Sequence, residues 1–140
     1  MNVEADVVTT EEWVPAWRRA HGDGFVGLDF LTAIDRGDHL ELLGRAVRGF
    51  EDRFIAIIVG DEPVPTITQV YSAAAWHERE IAEMFGVVFV GHDTERLLTR
   101  DGDPPLLLKS APLAARVEKP WPGAGKRNRK PGVPSEWLAQ

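Results

Sequence analysis

The sequence contains no cysteine, and this absence excludes several kinds of site. Without thiolates the chain cannot form disulfide bonds, cysteine-ligated zinc sites or cysteine-ligated iron–sulfur clusters. Long apolar runs are also missing: stretches such as 54–59 and 87–90 are far shorter than the roughly 20 residues that a membrane-spanning helix requires. The acidic residues 1–6 do not resemble a signal peptide. We therefore expect a protein that is soluble when isolated, in a cytoplasmic setting, and that reaches a membrane only through partners.

Basic residues are scarce except near the C-terminus. The chain holds 16 Lys and Arg against 22 Asp and Glu, and residues 1–117 alone carry a net charge of −9. Residues 118–140 carry +3. Because an acidic body repels phosphates, we interpret the basic cluster at 126–130 as a solvated or partner-facing tail rather than a nucleic-acid site.

The hydrophobic pattern predicts two helices. The first begins after Thr9 or Thr10, carries an apolar stripe at Trp13, Trp17 and Ala20, and ends near Gly22. The second is capped by Ser72, runs over Ala73–Phe85 and is ended by Gly86. Between them, strand-like segments with short links favour an antiparallel meander, at about 25–34, 39–47, 53–59 and 65–71.

The region beyond residue 90 has a different character. Seven of the ten prolines lie beyond residue 100, so regular helix and central strand are excluded there. The predicted fold class is α+β, with a mainly antiparallel sheet of about four strands packed with two helices in a domain over 1–90. A partly irregular, extended proline-rich arm follows over 91–140. Its final part is equally consistent with disorder in the isolated protein.

The second predicted helix is dense in charged and aromatic side chains. At 3.6 residues per turn, its apolar face is expected to hold Ala73, Trp76, His77, Ile81 and Met84, with Glu80 inside that face. The neighbouring Glu78, Arg79 and Glu83 are then expected to point elsewhere. His77-Glu78 does not form a zinc-peptidase motif, because Ile81 stands where the second histidine is needed. An ordinary amphipathic core helix is the simplest interpretation.

This segment resembles the signature of a known family. Glu78-Arg79-Glu80, Glu83-Met84-Phe85-Gly86, the apolar run that follows, Gly91-His92 and Arg96-Leu97-Leu98 are similar to the respiratory complex I 30-kDa subunit family, known in bacteria as the C component of NADH-quinone oxidoreductase. The likeness continues at Pro105-Leu106 and Lys109, and the proline-rich tail from 117 looks like that of some bacterial members. The chain departs from the family where Leu107-Leu108 precede Lys109, because the usual Pro-Leu-Arg-Lys arginine is missing.

The resemblance implies a non-catalytic structural subunit in the peripheral arm of a proton-translocating NADH:quinone oxidoreductase, on the cytoplasmic face of the membrane. It implies no cofactor in this chain, since NADH, FMN, iron–sulfur clusters and quinone belong to partner subunits. The chief partner would be the large quinone-site subunit, with adjacent iron–sulfur subunits, which this chain would brace. The departures leave open an equivalent role in a membrane-bound hydrogenase or in a shortened respiratory complex.

Residues for contact between subunits follow from the same resemblance. A free-standing enzyme is disfavoured, because the sequence has no Gly-rich phosphate loop, no cysteine nucleophile and no convincing Ser/His/Asp set, and we predict no catalytic, cofactor or metal residues. The residues expected at the subunit interface are Glu78, Arg79, Glu80, Gly86, Gly91, His92, Arg96, Pro105, Lys109 and Trp121.

Overall fold

A computed structural model describes residues 4–112 as one α+β arrangement. The elements in chain order are β1 (Asp6–Val8), α1 (Thr10–Gly22), β2 (Gly27–Asp35), β3 (Leu40–Arg48), β4 (Glu51–Val59), β5 (Val64–Pro65), α2 (Ala74–Phe85) and β6 (Phe89–Val90). Residues beyond 112, including Trp121 and the proline-rich tail, lie outside the described residues. Neither of these two helices is long and apolar enough to cross a bilayer.

The main sheet has the strand order β1-β4-β3-β2. Two hairpins join β2, β3 and β4 in antiparallel pairs, whereas β1 lies parallel to β4 with Asp6 opposite Ile55. The predicted fold class is therefore confirmed as a mainly antiparallel four-stranded sheet with two helices. Both helices pack on one face of this sheet, where they enclose a single hydrophobic core.

The prediction of a fourth meander strand at 65–71 is wrong. Only Val64–Pro65 is extended there, and it pairs in parallel with Phe89–Val90 in a separate two-stranded sheet. The chain then turns, because the N–H groups of Val70 and Tyr71 both donate to the carbonyl of Ile67 at 2.9 Å. The fourth strand of the main sheet is instead β1, whose three residues are too short to give a periodic signal.

Helix α1 forms as predicted. The Thr9 hydroxyl accepts the Glu12 N–H at 3.3 Å, which caps the first turn. Trp13, Trp17 and Ala20 are fully buried, so the predicted stripe faces the core. A side chain at Gly44 would place its Cβ 2.7 Å from the Trp17 ring, so glycine at this point of β3 lets the indole lie close against the sheet.

Helix α2 buries a different face from the predicted one. Its buried residues are Ala74, Glu78, Ile81 and Glu83, whereas Trp76 is 64% exposed and packs under the Arg79 guanidinium at 5.3 Å. The expectation that Glu78 and Glu83 point away from the interior is therefore wrong. The Ser72 cap is wrong too, since Ala73 occupies the cap position without a side-chain bond and the carbonyls of Tyr71 and Ser72 accept the first helical N–H groups.

Candidate functional site: an arm anchored on helix α2

The segment that follows β6 is held against helix α2 by a buried carboxylate. Glu83 is only 4% exposed and accepts the backbone N–H groups of Leu97 at 2.9 Å and of Leu98 at 2.8 Å, together with that of Thr99. Three N–H donors on one carboxylate satisfy a charge that is otherwise costly to bury. Glu83 therefore fixes the backbone of three consecutive residues.

The pKa of Glu83 shows that these hydrogen bonds favour the ionised carboxylate. Burial alone raises the pKa of the carboxyl, but the N–H of Leu97, the hydroxyl and N–H of Thr99 and the N–H of Leu98 outweigh it. The net effect is a pKa lowered from 4.5 to about 2. The carboxylate is therefore ionised at neutral pH, which is the state that accepts the hydrogen bonds.

Arg96 closes the turn that Glu83 holds. Its guanidinium donates to the Thr99 hydroxyl at 2.8 Å, to the Arg100 carbonyl at 2.8 Å and to the Asp103 carbonyl at 3.0 Å. Arg79 donates from the helix to the Glu95 carbonyl at 2.9 Å. The two arginines bind the arm's backbone on both sides of the Glu83 contact.

The arm then passes the C-terminal end of α2 and reaches β2. The Leu107 N–H donates to the Met84 carbonyl at 3.0 Å, and the Lys109 N–H donates to the Asp35 carboxylate at 2.7 Å. These bonds from Lys109 and then from Gly37 lower the pKa of Asp35. We call residues 95–109 the docked arm, since both of its ends are bonded to regular elements.

Gly86 makes the close passage of the docked arm possible. Its φ of 77° is left-handed, which ends α2, and its N–H donates to the Ala82 carbonyl at 3.0 Å. A Cβ at this position would lie 2.9 Å from the Pro105 Cγ. The glycine therefore serves the helix end and the packing of the arm together.

A second buried carboxylate, Glu78, ties α2 to the start of the arm. It is 0% exposed and accepts the Thr66 hydroxyl at 2.6 Å and the Ile67 N–H at 2.8 Å, while the His92 Nδ1 lies 3.3 Å from its Oε2. Burial raises the pKa of Glu78, and the bonds from Thr66 and Ile67 and the nearby His92 oppose that rise. The carboxyl joins three segments that are far apart in sequence.

Of the ten predicted interface residues all but Trp121 lie within the described residues, and several of them bind their own chain. Those that contribute contacts within the described residues are Glu78, Arg79, Gly86, His92, Arg96, Pro105 and Lys109, whereas Glu80 is exposed on α2. Gly91 has a φ of 90° and allows the chain past Thr66, whose Cγ2 would lie 3.1 Å from an added Cβ.

Sequence reasoning missed the burial of Glu78 and the anchoring role of Glu83. Ala74 and Ile81 are seven positions apart with Glu78 between them, and that spacing is a usable signal for the buried face of α2. Glu83 lies off this face, and nothing local indicates that its partners are the N–H groups of Leu97–Thr99.

Besides charged residues such as Arg100 and Asp101, the docked arm exposes four leucines. Leu98 is the most exposed of them, at 77%. We call these four side chains the leucine surface: Leu97, Leu98, Leu106 and Leu107. Four exposed leucines in one segment, whose backbone is bonded to α2 and β2, form a candidate contact surface. Trp76, exposed on α2, adds an aromatic group outside the core.

The described residues offer little for a cofactor or metal. Residues 4–112 contain no group of three or more His, Asp or Glu side chains placed to hold a metal ion. A half-open pocket of about 270 Å³ lies between the β4–β5 link and the end of α2, lined by Leu40, Val59, Gly60, Asp61, Glu62, Pro63, Gly86, Val87 and Val88. Apart from its two carboxylates this lining is apolar or backbone, and it brings no nucleophile and base together.

Comparison with known proteins gives one consistent family match. Residues 7–117 match the family described as respiratory-chain NADH dehydrogenase, 30 Kd subunit. The NADH-quinone oxidoreductase C component of Rhizobium rhizogenes is 35% identical over 138 residues, covering 89% of this chain and 68% of the relative. The same component of Sinorhizobium medicae is 35% identical over 114 residues, covering 74% and 56%. The chain therefore spans between about half and two thirds of these relatives.

Two solved structures share the fold. A trypsin-resistant fragment of Nqo5 superposes with a TM-score of 0.56 at 23% identity, covering 62% of this chain and 78% of the fragment. A chain of the membrane-bound sulfane sulfur reductase, an archaeal respiratory membrane complex, superposes with a TM-score of 0.55 at 19% identity, covering 76% and 69%.

Proposed function

We propose, from the premise that this chain belongs to the family of the 30-kDa subunit of respiratory-chain NADH dehydrogenase, that it is a non-catalytic structural subunit of a proton-translocating NADH:quinone oxidoreductase. The observation that carries the proposal is the family match over residues 7–117, which includes the main sheet, both helices and the docked arm. The chain works by holding neighbouring subunits in a fixed arrangement.

Different residues of the site hold the arm and face outward, and this separation supports the proposed role. Charged side chains of the family signature, such as Glu83 and Arg96, are committed to the arm's own backbone. Contact with a neighbour is therefore the task of the leucine surface that they display. Because the backbone of Leu97 and Leu98 is already fixed before binding, docking loses little conformational entropy.

The partner at the leucine surface is the large quinone-site subunit, with the adjacent iron–sulfur subunits beside it. NADH, FMN, the iron–sulfur clusters and quinone belong to these partners and none to this chain. The complex holds the chain at the cytoplasmic face of the membrane as a peripheral component. Residues 1–90 form the domain, and residues 91–140, of which the docked arm is the first part, form the partner-binding arm.

The test is affinity purification of the tagged full chain from its native membranes at low and at high salt, with mass spectrometry of the retained proteins. We expect the quinone-site subunit and its iron–sulfur neighbours to be retained at both salt concentrations, because an apolar contact is weakly screened. NADH-binding subunits in the same fraction identify a complete NADH dehydrogenase. Their absence identifies a membrane-bound hydrogenase or a shortened complex, and recovery of the folded chain alone contradicts the proposal.

A further inference from the structure

A fully exposed aromatic residue lies at the tip of the β3–β4 hairpin. Arg48 pairs with Glu51, so Gly49 and Phe50 alone form the turn. Gly49 has a φ of 61°, as the first position of a two-residue hairpin turn of this kind requires, and Phe50 has an ordinary negative φ. The Phe50 side chain is 108% exposed, which is more than in an extended reference chain.

No contact among residues 4–112 accounts for phenylalanine at this position. The turn geometry depends on Gly49, and its second residue is commonly small or polar. A side chain that packs on nothing adds no burial to the folded state, while it exposes a large apolar group to water. Aromatic residues that protrude from a rigid frame are typical anchors of protein interfaces.

Two arginines near Phe50 are paired with carboxylates of their own chain. Arg48 binds Glu51 through its Nε at 2.9 Å, and Arg53 binds Asp23 at 2.7 Å. Both guanidiniums also lie over the Phe25 ring, at 4.7 Å and 4.6 Å from its centroid. Since each of these arginines already has a carboxylate partner, neither is available to attract an acidic surface. The chemistry that fits Phe50 is a neutral apolar pocket of a protein.

The tip lies at the opposite end of β3 from the point where Lys109 of the docked arm bonds to β2. Asp35, which binds the Lys109 N–H, ends β2 next to the start of β3 at Leu40, whereas Phe50 follows the end of β3 at Arg48. Eight residue steps at about 3.3 Å each separate the two ends by roughly 26 Å. The hairpin tip points away from the end where the docked arm bonds to β2, so a partner that covers the tip approaches from the other side.

We propose that Phe50 is a second docking point, which inserts into a neutral apolar pocket of a subunit other than the one on the leucine surface. This inference rests on the proposed function and deepens it, because a brace needs two separate points of attachment. The rigid hairpin then sets the distance between the two neighbours.

Photo-crosslinking in the assembled complex tests the proposal. The full chain is expressed in its native host with p-benzoylphenylalanine in place of Phe50 or, separately, of Leu98, and the crosslinked peptides are identified by mass spectrometry. We expect position 50 to crosslink to one apolar segment of a subunit that position 98 does not reach. A crosslink from position 50 to the same subunit as position 98, to lipid or to a second copy of this chain overturns the proposal. So does no crosslink from position 50 while position 98 crosslinks. If neither position crosslinks and the chain sediments alone, both the second docking point and the proposed function have failed.

The variant Phe50→Ala adds a quantitative check, with Ile58→Ala as its control. Ile58 is also exposed, but it lies on the sheet face opposite the helices. We expect Phe50→Ala to weaken retention of the second subunit at least about tenfold, as for an interface anchor, at low and high salt alike, with an unchanged melting temperature. Equal retention for the two variants contradicts a docking role for Phe50.

Discussion

The Glu83 carboxylate accepts the backbone N–H of Leu98 at 2.8 Å, so a buried acid on α2 fixes the position of a leucine whose side chain faces outward. The carboxylate and the leucine have separate tasks: the first satisfies backbone donors and the second meets the surroundings. The backbone that carries Leu98 is therefore held by a contact within the chain itself.

Replacing Glu83 by Ala removes the acceptor for the N–H groups of Leu97, Leu98 and Thr99. We expect amide hydrogen exchange at these three residues to accelerate by at least roughly tenfold, while exchange in β3 and β4 stays unchanged, since the arm opens locally. Glu80→Ala, on an exposed position of the same helix, is the matched control. Unaltered exchange in Glu83→Ala would show that the arm is held by other contacts.

Acid releases the docked arm. The pKa of Glu83 is about 2 in the folded protein against an ordinary value of 4.5, so its contribution to stability is complete above pH 4.5 and is lost as pH falls toward 2. The protection factors of Leu97–Thr99, which compare observed exchange with the intrinsic rate at each pH, should therefore fall as pH falls through this interval. In Glu83→Gln the same interval should show a flatter dependence, and an equally steep one would assign the acid sensitivity to another group.

Glu78 has the opposite pH dependence. Burial raises its folded pKa, so its stabilising effect is complete below the ordinary value of 4.5 and declines as pH rises through the raised pKa. Glu78→Gln removes the buried charge and keeps an acceptor oxygen. Denaturant unfolding at several pH values should show that this variant loses less stability than the parent chain as pH rises from 4.5. A steeper loss in the variant would contradict the assignment.

Glu78→Ala should destabilise the whole domain. It removes the acceptor of the buried Ile67 N–H and one partner of the Thr66 hydroxyl, which keeps Thr68 at 2.9 Å, and it opens a cavity at a fully buried position. We expect the free energy of unfolding to fall by about 3 kcal/mol. Glu80→Ala on the same helix should change it by less than about 0.5 kcal/mol, because Glu80 is exposed. Similar losses in both variants would count against the buried network.

A methyl group at Gly86 should cause both backbone strain and a clash. Gly86→Ala forces alanine into a φ of 77° and places its Cβ 2.9 Å from Pro105. The matched control is Gly37→Ala, where φ is 101° but nothing lies within 4 Å of the added atom. Strain alone costs about 1–2 kcal/mol, so the free energy of unfolding should fall further for Gly86→Ala. Equal losses would mean that Pro105 moves aside freely.

The sequence predicts those parts of the molecule whose signal is local. The Thr9 cap and the stripe of Trp13, Trp17 and Ala20 belong to one amphipathic helix, and the structure confirms them. The spacing of Ala74 and Ile81 indicates one buried face of α2, but the burial of the carboxylates Glu78 and Glu83 does not follow from any pattern within the helix. Burial of Glu78 depends on Thr66 and that of Glu83 on Leu97, and neither partner lies within the helix.

The sequence pattern also fails to predict which aromatic residues are exposed. The helical pattern predicts Trp76 in the core because tryptophan is usually well buried, but Trp76 lies outside, under Arg79. The interface roles of Glu78, Arg79, Glu80 and the other signature residues stay predictions, and Trp121 lies outside the described residues.

The most direct test of the central claim, that the leucine surface binds the neighbouring subunit, is the amount of the large quinone-site subunit retained by the tagged chain when Leu98 is replaced by Asp. Leu98 is 77% exposed, so the chain should fold as before, with an unchanged melting temperature. We predict loss of the quinone-site subunit from Leu98→Asp and its full retention by the control Ile58→Asp. Undiminished retention by a folded Leu98→Asp chain would contradict the account.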